Sequence, residues 1–300
     1  MPKSVVFSVL LVVAMFFWGA SWPSSKVLVG YTSADVVTFW RFFVAFLASL
    51  PLIAVLRIPL RIDGKAFRYL LFAAILNCLY SLMFFVGLNY GSAGKGGVLV
   101  TTITPVFVYL LTFGLHKIQK NTNRQMKGNE ILGLFLGVVA GICLLDLGSS
   151  QTIFSKFNTF FILCALDWAV LTLVCHRLRI HPIAINFYIT LFSVVLFSPI
   201  FLVQPAILEI FNFDLHFWLM LFTIGVLSTA VGTSIYYMGI AQVGAEKASS
   251  FQLLVPIFAL LTSYFILGEI PSLLTLVGGG IAIFAIYLIN LYKPKIRKNQ

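Results

Sequence analysis

This sequence has few charged residues. Only 10% of its 300 residues are charged and nine are acidic, whereas a soluble domain carries roughly 25% charged residues. Hydrophobic residues make up 60% of the chain and the mean hydropathy is +1.03. These values exclude a soluble globular domain and indicate an integral membrane protein. No stretch alternates as membrane β-strands do, so the spanning segments are predicted to be helices, which pair their backbone polar groups internally.

Motifs for enzyme chemistry are also missing. The four cysteines lie in or at the ends of apolar segments without metal-ligand spacing, so we interpret them as packing residues. There is no phosphate-binding glycine loop, no nucleophile elbow and no filter-like repeat. The net charge of +11 reflects basic loops and not a nucleic-acid partner. We therefore expect no catalytic residue, no metal and no cofactor, and we do not expect an enzyme.

Ten apolar segments long enough to be membrane helices are present. They run approximately Val5–Trp22, Ala34–Leu56, Phe67–Leu88, Gly96–Leu115, Ile131–Leu147, Phe157–Cys175, Pro182–Val203, Leu215–Met238, Ala248–Leu267 and Leu273–Leu291. The first segment is interpreted as an uncleaved helix and not as a signal peptide, because its removal would break the repeat described next.

Each half of the chain carries a version of the same pattern. Ala93, Lys95, Pro105 and Phe107 match Ala245, Lys247, Pro256 and Phe258 with one residue of slippage, Gly87 matches Gly239, and Trp18 matches Trp168. Each half has an odd number of segments, so the halves must cross the membrane in opposite directions. We predict an all-α integral membrane protein of ten transmembrane helices, built as two inverted five-helix repeats over residues 1–147 and 148–300.

The loops predict the orientation. If the chain ends and alternate loops share one side, that side holds 16 of the 20 basic residues. The positive-inside rule then places both termini in the cytoplasm of a multi-pass protein.

The sequence is similar to the drug/metabolite transporter superfamily, in particular to its ten-helix EamA-type members. The resemblance rests on FFWGASWPSSKV and WRFFVAF in the first two segments, on AEKASSFQLLVPIFALL in the ninth, and on FILGE before LVGGGIAIFAIYLI in the tenth. One departure is that the fourth segment ends FGLHKIQK, without a glutamate. The resemblance implies an inner-membrane exporter or importer of amino acids and other metabolites, driven by protons or by exchange.

Asp167 is the candidate coupling residue, because it is the only acidic residue deep in an apolar segment. A carboxyl group there must face a cavity, pair with a cation or hold a proton. A protonated Asp167 that only links two helices is the structural alternative.

Three cations are candidates for the substrate cavity. Arg41 lies about 10 Å into the second helix at 1.5 Å per residue, where it would bind a carboxylate, pair with an acidic residue or extend to the outer interface. Lys95 and Lys247 begin the fourth and ninth helices at opposite membrane faces, as gates or as interfacial anchors.

The remaining cavity candidates are aromatic or polar and fall within apolar segments. They are Trp18, Asn77, Tyr80, Thr101, Trp168, Tyr236 and Gln252. Gln252 shares one helical face with Ser249, Pro256 and Ser263, so the ninth helix is expected to face protein or a wet cavity. Trp22 is assigned to the outer aromatic belt. Pro23, Pro105 and Pro256 are candidate hinges or kinks.

Together these features predict a secondary active transporter that exports small polar metabolites such as amino acids, by alternating access coupled to protons or to exchange. An importer or exchanger of anionic or nucleotide-like metabolites such as S-adenosylmethionine is the alternative, and a membrane enzyme acting on lipid-linked substrates is a weaker one. The expected partners are a small-molecule substrate, the bilayer and a proton or counter-solute. The protein is expected in the inner membrane as a monomer or homodimer.

Overall fold

The computed structural model describes residues 3–91, 93–118, 128–144, 155–268 and 273–290. Within these ranges the chain forms helices and no β-strand. The main units are α1 Lys3–Leu28, α2 Ala34–Leu56, α3 Gly64–Leu88, α4 Ala93–Ile118, α5 Gly128–Leu144, α6 Lys156–Arg177, α7 Pro182–Phe197, α8 Leu215–Val243, α9 Ala245–Leu267 and α10 Leu273–Asn290. Two short helical pieces, Ile200–Val203 and Pro205–Asn212, connect α7 to α8. The ten-helix fold is confirmed.

Eight of these units are long and apolar enough to cross a membrane by length and composition. The other two, α5 and α10, contain shorter apolar helices, Gly128–Cys143 and Val277–Ile289. Both lie beside undescribed segments, and the predicted boundary between residues 147 and 148 falls in one of them, so that boundary stays a prediction.

Helix packing follows a pseudo-two-fold relation between the halves. α1 packs on α8 and α9, and its counterpart α6 packs on α3 and α4. α2 contacts its counterpart α7, and α5 contacts its counterpart α10. Two inverted five-helix repeats produce this pattern. The contacts of a helix in the first half with helices of the second half are repeated by its counterpart in the opposite direction.

The ends of the helices form two faces. We call the face with the α1–α2, α3–α4 and α7–α8 connections the Asp214 face, and the opposite one the Gly244 face. On the Asp214 face the Tyr31 hydroxyl donates a hydrogen bond of 2.9 Å to the carboxylate of Asp214, which caps α8. The Phe217 amide and this hydroxyl hold the pKa of Asp214 below its ordinary value. On the Gly244 face the Tyr188 hydroxyl donates to the Leu60 carbonyl.

Helix α1 is longer than predicted because it continues through Pro23 to Leu28. The predicted end at Trp22 was wrong. The hydroxyls of Ser21 and Ser24 donate back to the carbonyls of Trp18 and Ala20 at 2.6 and 2.9 Å, so these polar side chains are paired within their own helix. The helix is also held at Gly19, where a Cβ atom would lie 2.5 Å from Phe258 Cβ of α9.

The one-residue slippage between α4 and α9 has a structural cause. Residues Phe251–Leu254 of α9 form a 3₁₀ turn, whereas α4 is α-helical throughout. The rise per residue is about 2.0 Å in a 3₁₀ helix and about 1.5 Å in an α-helix. The nine residue steps from Lys247 to Pro256, four of them in the 3₁₀ turn, therefore span roughly 15 Å. The ten α-helical steps from Lys95 to Pro105 span the same length. Pro105 and Pro256 therefore keep equivalent depths. Their roles as hinges, and that of Pro23, stay predictions.

Helix α8 contains a π-helical segment, Thr223–Gly232, that the sequence did not predict. Carbonyl groups in this segment accept hydrogen bonds from other helices. Asn186 of α7 donates to the carbonyls of Thr229 and Ala230 at 2.8 and 3.1 Å, and Trp18 of α1 donates to that of Ser228 at 3.3 Å. π-Helical segments are frequent at functional sites.

The glycines of α5 allow close contacts with other helices of the same chain. A Cβ atom at Gly133 would lie 2.5 Å from Ile289 of α10, and one at Gly141 would lie 2.8 Å from Thr102 of α4. These glycines therefore let α5 pack closely against α10 and α4 within the chain.

Candidate functional site

A small internal cavity lies where the two halves meet. Its volume is about 40 Å³, and a water needs roughly 10–15 Å³ by this measure. The cavity therefore has room for a few waters and not for a metabolite in this conformation. Its lining residues come from α1, α2, α3, α4, α6, α8 and α9, and they are Trp18, Ser21, Trp22, Arg41, Tyr80, Phe84, Val100, Thr101, Trp168, Ser228, Thr233, Gln252 and Val255.

Aromatic rings form much of the wall. The rings of Trp18 and Trp168, the matched tryptophans of the two repeats, meet edge to face at 5.3 Å. Tyr80 packs on Trp168 at 5.1 Å and Tyr236 packs on Trp18 at 4.8 Å. The Trp168 indole nitrogen is buried without a hydrogen-bond partner among the described residues, although the Tyr236 hydroxyl lies nearby. This wall suits flat or apolar groups and keeps one donor available.

Arg41 brings a permanent positive charge to the cavity. Its Nε–H donates to the Thr229 hydroxyl of α8 at 2.9 Å, so the guanidinium is held inside the protein instead of extending to the outer interface. Within the described residues this is its only hydrogen bond, which leaves the terminal N–H groups free to meet a ligand. A guanidinium so placed can bind a carboxylate or phosphate through two parallel hydrogen bonds.

Gln252 of α9 and Thr101 of α4 add polar groups to the wall. Gln252 is 1% exposed, and its amide donates to the Tyr236 hydroxyl at 2.9 Å. Tyr236 is fully buried and is also hydrogen-bonded to Thr172 of α6 at 3.1 Å. Thr101 donates to its own helix at the Gly97 carbonyl. The prediction that the polar stripe of α9 faces protein is confirmed, because Ser249, Gln252, Pro256 and Ser263 are all buried.

Asp167 lies next in sequence to a lining residue but faces elsewhere. Its side chain is close to Cys78 and Tyr80 of α3 and Cys164 of α6. Its residue exposure is 9%, and Oδ2 has no hydrogen-bond partner among the described residues. Asn77, another candidate, donates to the Ser193 hydroxyl of α7 at 3.1 Å and does not line the cavity. A buried carboxyl group without a partner needs a proton or a cation.

Of the two lysine candidates, Lys247 lies away from this cavity. Lys247 is exposed at the start of α9 and lines a second pocket of about 330 Å³ at the Gly244 face. That pocket, called here the Gly244-face pocket, is formed by Thr112, Leu115, Leu173, His176, Arg177, Val243, Gly244, Ala245, Glu246 and Lys247. Lys95 begins α4, and its side chain lies outside what the structure describes.

Trp22 was misassigned to the outer aromatic belt. It is 3% exposed and lines the cavity. The reason is the GKGG sequence that begins α4, since a Cβ atom at Gly97 would lie 3.0 Å from the Trp22 indole. Sequence reasoning also missed Phe84, Val100, Thr233 and Val255, because apolar helix residues carry no signal that separates a cavity wall from a core.

Lys26 lies in the last turn of α1, and its ammonium donates to the carbonyls of Leu88 and Gly91 at 2.8 and 3.2 Å. It therefore caps the end of α3, where the helix dipole favours a positive charge.

Comparison with known proteins identifies the family. The model of the EamA-like transporter family matches residues 7–145 and, again, residues 156–291, so the chain belongs to this family. Both matches fit the two repeats seen in the packing of the helices.

Individual relatives agree with this assignment. The Bacillus subtilis proteins YyaM and YetK, both described as uncharacterized transporters, are 24% and 25% identical to this chain. The YyaM match covers 85% of this chain and 84% of the relative, and the YetK match covers 96% and 87%. One solved crystal structure aligns with a TM-score of 0.72 at 13% identity, over 96% of this chain and 97% of the other, which shows the fold alone.

Proposed function

We propose that this membrane transporter is a secondary active carrier that exports small metabolites bearing a carboxylate, amino acids first among them, by alternating access. The observation that carries the proposal is the cavity between the repeats, where the Arg41 guanidinium meets a wall of Trp18, Tyr80 and Trp168. The guanidinium would bind the carboxylate, and the rings would accept the side chain of the solute.

The small volume of this cavity supports a moving site. A space of about 40 Å³ cannot contain an amino acid, so binding requires that the helices separate. Inverted repeats commonly place a substrate site at their interface near the membrane midplane and expose it to each side in turn.

Asp167 is the proposed proton carrier. Its partner-free oxygen lies in the membrane interior beside Trp168, a cavity residue. Uptake and release of a proton there would change the charge next to the site without any other group being required. Pure exchange, with Asp167 in a structural role, is the alternative mechanism.

An importer or exchanger of anionic or nucleotide-like metabolites is the second candidate. The same guanidinium would bind a phosphate, and stacked indoles suit a purine ring as well as an aromatic side chain. A membrane enzyme is disfavoured by the absence of paired catalytic groups in the sequence.

The experiment that tests the proposal is flux into liposomes containing purified protein, with amino acids and nucleotides as solutes and the pH gradient as the variable. We expect a gradient to drive uphill movement of an amino acid, and Asp167→Asn to abolish that movement while leaving exchange in place. The matched control is Asp35→Asn, the same chemical change at the start of α2. Unchanged uphill flux in Asp167→Asn would remove the coupling role, and flux of nucleotides alone would favour the second candidate.

A further inference from the structure

The central cavity and the Gly244-face pocket are lined by the same four helices. α6 contributes Trp168 to the cavity and Leu173 to the pocket, and α8 contributes Thr233 and Val243 in the same way. α9 contributes Gln252 and Lys247, and α4 contributes Thr101 and Thr112. A solute that moved from the central cavity to the Gly244-face pocket would have to pass between these four helices, through the layer of side chains that separates the cavity from the pocket.

That level is occupied by three hydrogen-bonded side chains. Tyr236 of α8 lies between Thr172 of α6, at 3.1 Å, and Gln252 of α9, at 2.9 Å. The exposed fractions are 0% for Tyr236 and Thr172 and 1% for Gln252, so water has no access to the layer. One hydroxyl therefore joins three helices across the route.

The repeat relation identifies the equivalent layer in the other half. The match of Trp18 with Trp168 places Trp22 opposite Thr172, and the match of Gly87 with Gly239 places Phe84 opposite Tyr236. The rings of Trp22 and Phe84 are 4.7 Å apart and both residues are 3% exposed. This second layer lies toward the Asp214 face and is held by aromatic packing.

We propose that these two layers are the closed gates of the carrier, a polar gate of Thr172, Tyr236 and Gln252 toward the Gly244-face pocket and an aromatic gate of Trp22 and Phe84 toward the Asp214 face. The inference rests on the proposed transport function and adds the residues that control access to its site. The 40 Å³ cavity lies between the two layers.

The different chemistry of the gates gives them different opening tendencies. When the polar gate opens, water replaces the lost hydrogen bonds with little net loss of free energy. When the aromatic gate opens, two large rings become exposed, against the single Tyr236 ring of the polar gate, and water offers such rings no replacement for their packing. The carrier without substrate is therefore expected to open more often toward the Gly244 face.

Cysteine accessibility tests the gates without any substrate. A reporter Ser228→Cys is placed in the cavity after the four native cysteines, none of which lines it, are replaced. A membrane-impermeant thiol reagent is then applied from one face at a time. Lys65→Cys and Lys156→Cys mark the Gly244 and Asp214 faces, since both lysines are exposed on their respective sides.

Tyr236→Phe removes the hydroxyl that joins the polar gate. We expect labelling of the reporter from the Gly244 face to rise about tenfold, because Thr172 and Gln252 then lose a buried partner in the closed state, and water satisfies them only when the gate opens. The matched control is Tyr237→Phe, the same change in the next residue, whose side chain is buried toward Cys175 instead. Phe84→Ala is expected to raise labelling from the Asp214 face.

Equal labelling of Tyr236→Phe and Tyr237→Phe, or an increase from the Asp214 face in Tyr236→Phe, would overturn the assignment. If the cysteine-free protein does not fold, the native cysteines are retained and the labelling of the parent is subtracted. The labelling experiment and the flux experiment can fail separately. Labelling that supports the gates, together with no measurable flux, would establish the gates and reject the proposed function.

Discussion

Arg41 and Asp167, the two charged groups in the membrane interior that drew attention in the sequence, lie in different surroundings. Arg41 faces the cavity and is tied to Thr229, whereas Asp167 faces α3 near Cys78 and Tyr80. An Arg–Asp pair would have neutralised both charges and left neither for a ligand. Their separation is consistent with one group for substrate and another for coupling.

Arg41→Lys tests the substrate group. The charge is kept but the planar fork is lost, so we expect the KM for a carboxylate-bearing solute to rise about tenfold with a smaller change in the maximal rate. Concentration-dependent flux in liposomes measures both quantities. Lys156→Gln, a change of a cation that lies over the Tyr90 ring, is the control. An unchanged KM in Arg41→Lys would show that Arg41 does not bind the carboxylate.

Departures from regular α-helix position the site at the scale of elements. The 3₁₀ turn Phe251–Leu254 keeps Pro256 level with Pro105, and it includes Gln252. The π-helical segment of α8 contributes Ser228 to the cavity and Thr229 to Arg41. In both cases an irregular turn of a helix carries polar groups of the site, and carbonyls of the π-helical segment accept hydrogen bonds from Asn186 and Trp18.

Gly19→Val tests the contact between α1 and α9. The new side chain would begin 2.5 Å from Phe258 Cβ and 2.8 Å from the Ala259 backbone nitrogen, so one helix must move. Overpacking of this kind costs about 1–3 kcal/mol, and we expect a lower Tm in detergent together with loss of transport. Gly114→Val is the control, because nothing lies within 4 Å of a Cβ atom there. Equal Tm values for the two variants would contradict this close packing.

At the scale of the whole molecule, the inverted repeat supplies symmetry of fold without symmetry of chemistry. Trp18 and Trp168 meet across the cavity as related residues, yet the layers one turn away differ, with Trp22 and Phe84 on one side and Thr172 and Tyr236 on the other. Two identical halves would open equally toward both faces, so this difference allows the two open states to differ in free energy.

The distribution of basic residues predicts that the Gly244 face is cytoplasmic, together with both chain ends. Fusions at the C-terminus test this. We expect a cytoplasm-active reporter to work there and a periplasm-active one to fail. A control fusion after Lys156, at the Asp214 face, should give the opposite result. Periplasmic activity at the C-terminus would show that the orientation is reversed.

The sequence by itself determined the helical membrane fold, the number of helices and the repeat, because apolar length, loop charge and matched residues are local properties of the chain. It also drew attention to Trp18, Arg41, Tyr80 and Trp168, since side chains with polar groups are uncommon in apolar segments. Only the tertiary structure decided which of these side chains meet. It directed Asp167 toward α3, brought Trp22 into the cavity wall and used Lys26 to cap α3. The rotation of each helix about its axis decides these outcomes, and that rotation depends on close contacts such as Gly19 against Phe258, which involve residues far apart in the sequence.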